Sequence, residues 1–201
     1  AHVLARQFLN TYTDLTEDQY AKMYNLYAFD LKDEKRADSL REVLLKRFPK
    51  GRTAQLKSFQ IASQVTDHSA KVKQFEAFLK KYPITELEGG QPFFYRTIYN
   101  FLLEDYFNNE EYDKLKTLLP QLNFANLIEG YHFTISKAYH YKAVPFPVLN
   151  ELSQAIIAEL LAKLDDASYV QGIYLSPQQA LNNAQEQLNR KLRVQMRISA
   201  E

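Results

Sequence analysis

Four histidines, His2, His68, His132 and His140, are the first residues to test for chemistry. Two imidazoles on one helix share a metal only when three or four positions apart. No pair has that spacing; His132 and His140 diverge by about 80° around a helix of 3.6 residues per turn. His140, between Tyr139 and Tyr141, reads instead as a packing neighbour of aromatics. The chain has no Cys, which removes thiolate nucleophiles, thiolate metal sites and disulfides together. The acidic pairs Glu110–Glu111 and Asp165–Asp166 suggest acid–base work, but adjacent residues on a helix point apart. The first pair is expected at a helix N-terminus, where the dipole favours negative charge, and the second in a loop. "EGG" at 88–90 is a turn without the rest of a nucleotide motif. No Gly-x-Ser-x-Gly elbow occurs, and Ser176 is needed as a helix cap. No catalytic residue, metal or cofactor is expected.

Two patterns suit binding better than catalysis. Tyr20, Tyr24 and Tyr27 recur at four- and three-residue spacing on one segment, and Tyr95, Tyr99 and Tyr106 repeat the trend on another. Tyrosine gives contact area at low entropy cost and keeps its hydroxyl wet. These rows are therefore expected to line part of a concave groove for a peptide or domain; the competing reading is packing between helices. On the last helix Arg190, Arg193 and Arg197 align opposite Leu188 and Leu192. They form either a docking stripe for an acidic neighbour or a solvated face.

The elements that position these residues are helical. Apolar spacings of three, four and four through Ala37, Leu40, Leu44 and Phe48 put one stripe on one side of a helix. Val72, Phe75, Leu79 and Tyr82 do the same. Over 147–164, Leu149, Leu152, Ile156 and Leu160 are widened by Ile157 and Leu161, so this helix is expected to be covered on two sides. "SPQQ" starts the last helix with Ser176 as cap, Pro177 in the first turn and Gln179 as capping-box partner. That helix runs through Leu181, Ala184, Leu188, Leu192 and Met196. "TEDQ" at 16–19 offers a similar start. Only five Gly are present, few for a fold with many tight turns, and no segment reads as a strand. The fold class is all-α.

The chain also repeats itself. "LLKRFPKG" (44–51) and "FLKKYPIT" (78–85) each carry a basic pair, an aromatic and a proline, and Pro49 and Pro83 lie 34 residues apart. Proline stops each helix, and the preceding cations suit its C-terminal end. A helix pair with its turns fills about 34 residues in tetratricopeptide arrays. The pairs are 17–29 with 34–48, and 53–64 with 69–82. A third has its joint in "FNNEEYDKLKTLLP" (107–120), where Asn108 and Asn109 break one helix. Stacked hairpins of this kind bury their faces against one another. The chain is read as a single helical-repeat domain over 1–201, with repeats 17–49, 52–83 and 91–120, then divergent helices over 124–198 ending in a long C-terminal helix.

On these grounds residues 17–120 resemble the tetratricopeptide family. Ala37 matches the small position of a second helix, Phe75 its aromatic position, and "EEYDKL" an opening. Asn25 and Phe59 depart from the small residue usual in the first helix. "KRADSLREVLLKRFPKG", "FEAFLKKYP" and "YLSPQQALNNAQEQL" look like the helical region ahead of the thioredoxin domain in exported bacterial thiol-disulfide interchange proteins of the TlpA type. That resemblance implies a periplasmic or exported setting and a redox domain beyond Glu201. No Cys-x-x-Cys lies in this chain, so no redox role carries over to its residues. An opening Ala1 without Met predicts a trimmed or mature piece of something longer.

Charge narrows the partners. With 25 basic and 24 acidic residues, the net charge points to no nucleic acid. No apolar run reaches bilayer length; Glu159 interrupts "AIIAELLA". The expected role is a non-catalytic interaction or spacer module whose partner is a protein or peptide, including a thioredoxin domain of the same polypeptide. The alternatives are a stand-alone envelope scaffold or adaptor, and an enzyme of unfamiliar helical type.

Overall fold

A computed structural model of the chain describes residues 15–83, 93–164 and 176–200, and among them every regular element is helical. His2, the 88–90 turn, Asp165 and Asp166 lie outside the described residues. The chain gathers into two compact units, residues 1–88 and 89–201.

Unit 1 contains α1 (Glu17–Asn25), which continues into a π-helical turn (Leu26–Asp30), then α2 (Glu34–Arg47), α3 (Arg52–Ser63) and α4 (His68–Lys81). Successive helices pack: α1 on α2, α2 on α3, α3 on α4. The start predicted at "TEDQ" is present as a capping box. The Gln19 amide donates to Thr16 Oγ1 at 3.3 Å, and the Thr16 amide donates to Gln19 Oε1 at 2.9 Å. Helices α2 and α4 are both 14 residues long and start one 34-residue interval apart. Asp33 and Asp67 cap them, accepting from the amides of Arg36 (3.2 Å) and Ala70 (2.7 Å). Each ends alike. Phe48 has φ −123° and ψ 67°, Tyr82 has φ −126° and ψ 71°, and each still donates its amide to the carbonyl four residues back. The following proline forces the same exit from helical backbone in both places.

The repetition stops short of the buried faces. Helix α2 buries Ala37, Leu40 and Leu44, whereas α4 buries Val72, Phe75 and Phe78. Under the 34-residue alignment Leu44 meets Phe78, but Ala37 and Leu40 meet Lys71 and Gln74. One frame therefore carries two differently rotated cores. The aromatic at each stop is accommodated differently as well. Tyr20 of α1 packs against Phe48, with ring centroids 6.1 Å apart. In the second pair, buried Ala54 leaves room for Tyr82, whose hydroxyl shares a hydrogen bond with Ser58 Oγ at 3.0 Å.

Unit 2 contains α5 (Phe93–Asn108), α6 (Tyr112–Leu118) with a 3₁₀ turn (Leu119–Gln121), and α7 (Phe124–Gly130). A π-helical turn (Tyr131–Ser136) leads into α8 (Lys137–Tyr141), followed by α9 (Phe146–Ala162) and α10 (Pro177–Ala200). The break between α5 and α6 falls where expected, but Glu110 rather than an asparagine takes the left-handed backbone, at φ 58°. Buried Gly130 allows α7 to approach α5 closely, because a Cβ there would lie 2.8 Å from Leu103 Cδ1. Helix α9 is central, packing on α6, α7, α8 and α10 and on both irregular turns. It buries Leu149, Leu152, Ile156, Ile157 and Leu160. Leu161, expected to widen that stripe, is 54% exposed. Lys163, just past the helix, donates through Nζ to the carbonyls of Pro120 (2.5 Å) and Leu122 (2.6 Å).

Ser176 and Gln179 form the capping box predicted for α10. The buried face of that helix matches the predicted one only at Ala184 and Leu188, with Ala180 buried in place of half-buried Leu181. It runs through Ala180, Ala184, Leu188, Gln195 and Ile198, leaving Leu192 half-buried and Met196 71% exposed. The polar Gln195 can occupy the inside because Asn150 of α9 accepts its amide hydrogen at 2.7 Å.

Candidate functional site

The first tyrosine row belongs to the interior of unit 1. Tyr20 and Tyr27 are buried and Tyr24 is half-buried. Each meets an arginine of α2 in antiparallel order: Arg47 at Tyr20, Arg41 at Tyr24 and Arg36 at Tyr27. The guanidinium carbons lie 5.6, 5.7 and 5.5 Å from the ring centroids. At the first rung Arg47 Nη1 donates to the Tyr20 hydroxyl at 2.8 Å, so the cation sits towards the hydroxyl end of that ring. The other two follow the cation–π pattern. Sequence reading saw the tyrosine spacing but not its partners, because the arginines recur along α2 in the reverse direction.

The second row is deeper. Tyr95, Tyr99 and Tyr106 are buried on α5. The rings of Tyr95 and Tyr99 are 6.1 Å apart. The Tyr99 hydroxyl is buried without a hydrogen-bond partner. Burial, and then the neighbouring Tyr95, push its phenol well above the usual range. Apart from half-buried Tyr24, the rings of both rows are therefore packing residues, not a lining open to a partner. A spacing of three and four marks one helix face, and cannot say whether that face is covered.

The arginine stripe is solvated. Arg190, Arg193 and Arg197 are exposed on α10, and Arg190 pairs with Glu186 at 2.5 Å. Among the described residues Arg193 and Arg197 make no ion pair.

Sequence reading missed a polar cluster where α9 and α10 meet the π turn. The Tyr131 hydroxyl lies 2.7 Å from Ser153 Oγ and donates to the Lys191 carbonyl at 3.3 Å. The Lys191 ammonium lies 5.8 Å from the Tyr131 ring centroid. Further along the seam, Asn150 Oδ1 accepts from Gln195 and from Ser199 Oγ at 2.9 Å. The signal was present: Ser153 interrupts the apolar positions of α9. A serine, tyrosine and lysine together invite a nucleophilic reading, but the arrangement opposes it. Ser153 is fully buried. Burial pushes the Tyr131 phenol up to about 12, against the opposing Ser153 hydrogen bond, so Tyr131 stays protonated at neutral pH. Burial, then Arg190, lower the Lys191 ammonium. The cluster fastens three elements to one another.

His68, His132 and His140 are exposed. Among the described residues no three His, Cys, Asp or Glu side chains gather to hold a metal, and no helix is long and apolar enough to cross a membrane. No protein-family model, curated protein or solved structure matches the chain.

Proposed function

We propose that the chain is a non-catalytic protein-interaction or spacer module, a tetratricopeptide-like run of helical hairpins within an exported protein of the thioredoxin family. The observation that carries this reading is the equivalence of α2 and α4. Their lengths match, Asp33 and Asp67 cap them alike, and Phe48 and Tyr82 share one terminal geometry. A duplicated hairpin frame is how helical arrays extend a surface for partners. The tyrosine rows and the Tyr131–Ser153 pair support a non-catalytic role, because most of the row rings are buried in packing and the Tyr131 and Ser153 hydroxyls hydrogen-bond each other. Exposed Arg193 and Arg197 support a partner with acidic character. The thioredoxin assignment rests on the sequence resemblance over "KRADSLREVLLKRFPKG", "FEAFLKKYP" and "YLSPQQALNNAQEQL".

The test has two parts. The natural reading frame is expected to carry an export signal upstream and a Cys-x-x-Cys segment downstream; a frame without that segment overturns the thioredoxin assignment. The encoded redox domain, expressed separately and added to the isotope-labelled chain, is expected to shift amide resonances of exposed residues. An unchanged spectrum at saturating domain overturns the interaction role.

A further inference from the structure

In the polar cluster of unit 2, Ser153 and Tyr131 are occupied with each other, whereas Lys191 is tied down only through its backbone. Its carbonyl accepts from the Tyr131 hydroxyl at 3.3 Å, which fixes this turn of α10 against the π turn. The side chain is half-buried. Its ammonium lies 5.8 Å from the Tyr131 ring centroid, near the outer limit of a cation–π contact. Among the described residues that ammonium has neither an ion pair nor a hydrogen-bond acceptor.

The surroundings supply no carboxylate. Three and four positions either side of Lys191 stand Gln187, Leu188, Val194 and Gln195, so no acid neighbours it on α10. Glu186, earlier on the same helix, pairs with Arg190. Helix α10 packs on α9 and α7. Glu151 and Glu159 of α9 pair with Lys116 and Lys163, and Glu129 of α7 with Arg96. The π turn brings the Tyr131 phenol, protonated at neutral pH, and exposed His132, which never carries negative charge. Lys114, Lys116 and Lys163 show the contrasting arrangement, each bound to a glutamate. Desolvation and an adjacent cation are two conditions that make a lysine nucleophilic. Lys191 meets both: burial, then Arg190, lower its ammonium, so more of it is neutral amine near pH 7 than of an exposed lysine. The ring contact acts the other way, but its distance leaves it weak.

We propose that Lys191 is a modification site, an amine acylated by small acyl phosphates. The neutral Nζ attacks the acyl carbonyl carbon and the C–N bond forms. The C–O bond to phosphate breaks, phosphate leaves with that electron pair, and the nitrogen's proton passes to water. The product is a stable amide, so the reaction ends there without turnover. Half-burial beside the π turn favours a compact donor, and the absence of an unpaired carboxylate spares an anionic donor repulsion. Acylation also replaces the cation over the Tyr131 ring by a neutral amide, leaving the backbone bond to the Tyr131 hydroxyl in place.

The chain is treated with acetyl phosphate, and the initial rate at each lysine is read by mass spectrometry of its peptides. Lys191 is expected to react about threefold or more faster than Lys35 and Lys57, exposed lysines of unit 1 that make no ion pair among the described residues. Its rate should level off at lower pH than theirs. Gln187→Glu puts a carboxylate four residues before the lysine, the favoured order for a helical ion pair. That variant should acylate Lys191 several-fold more slowly and leave Lys35 and Lys57 unchanged, with helical circular dichroism establishing that it is folded. In concentrated urea, where Tyr131 no longer covers the side chain, the preference for Lys191 should vanish. Equal rates at Lys191 and Lys57, a preference that survives unfolding, or an unaltered Lys191 rate in folded Gln187→Glu each overturn the proposal. So does acylation of Lys191 by a thioester of the same acyl group with none by acetyl phosphate.

Discussion

Arg47 donates to the hydroxyl of Tyr20 at 2.8 Å, tying the last turn of α2 to the first turns of α1. The same arginine favours the C-terminal end of α2, where the helix's partial negative charge lies. One side chain thus finishes one helix and fixes its partner. Replacing Tyr20 with Phe removes the hydrogen bond and keeps the ring against Phe48, with an expected loss of about 1 kcal/mol. Tyr20→Ala also empties the ring's place, with an expected loss of about 3–5 kcal/mol. Urea unfolding of the two variants checks the ordering. Equal losses would show that the ring contributes nothing beyond its hydroxyl.

Glu17 reaches across to α3. The Thr53 amide donates to Glu17 Oε1 at 3.2 Å, so a carboxylate of α1 caps a helix whose own N-cap, Gly51, has no side chain. Gly51 has an ordinary φ of −71°; what it supplies is space, since a Cβ would lie 2.3 Å from Glu17 Oε2. Glu17→Ala and Gly51→Ala are each expected to cost about 0.5–2 kcal/mol, the usual range for losing an N-cap. The double variant should cost clearly less than their sum, because both disturb one carboxylate. A double-mutant cycle by chemical denaturation measures this, and strict additivity would refute the shared cap.

How much of this was legible beforehand follows from what a linear pattern encodes. The stops at Phe48 and Tyr82 were readable because proline acts on its immediate neighbour, and the boxes at Thr16 and Ser176 because caps are local. The fate of Tyr95 and Tyr99 was not, since burial depends on which helix lies opposite. The α10 face was misread at Leu181 and after Leu188 for a related reason: at Gln195, for one, the inside offers Asn150 of another helix to accept its amide hydrogen. Neither π turn was anticipated, because helical periodicity assumes 3.6 residues per turn throughout, and Leu26–Asp30 and Tyr131–Ser136 widen it locally. Arg36, Arg41 and Arg47 were visible only as charges until α1 lay beside them.

The Tyr99 hydroxyl makes a prediction of unusual sign. Buried without a partner, it bears a desolvation cost that no hydrogen bond offsets. Tyr99→Phe removes the polar atom and keeps the ring, so the variant is expected to be more stable by about 1 kcal/mol. Thermal and urea unfolding both report it. A loss of 1 kcal/mol or more would mean that the hydroxyl has a partner in solution.

Alkaline pH should unfold the protein through the same buried phenols. For Tyr131 burial raises the folded value to about 12, and for Tyr99 burial and then Tyr95 also raise it. A group whose folded pKa is raised favours its protonated form in the fold. Its contribution is complete below the ordinary phenol value of about 10 and falls as pH climbs from there towards the folded value. Stability is therefore expected to be insensitive to these groups at neutral pH and to decline above about pH 10. Tyrosinate absorbance should rise in two stages, exposed residues first and the buried ones together with loss of helical circular dichroism. In Tyr99→Phe the decline should be shallower, one buried phenol having been removed, whereas Arg193→Glu, on the exposed face of α10, should leave the profile unchanged. A single smooth titration complete before any helix is lost would mean that Tyr99 and Tyr131 ionise within the fold, and that their burial does not resist the charge.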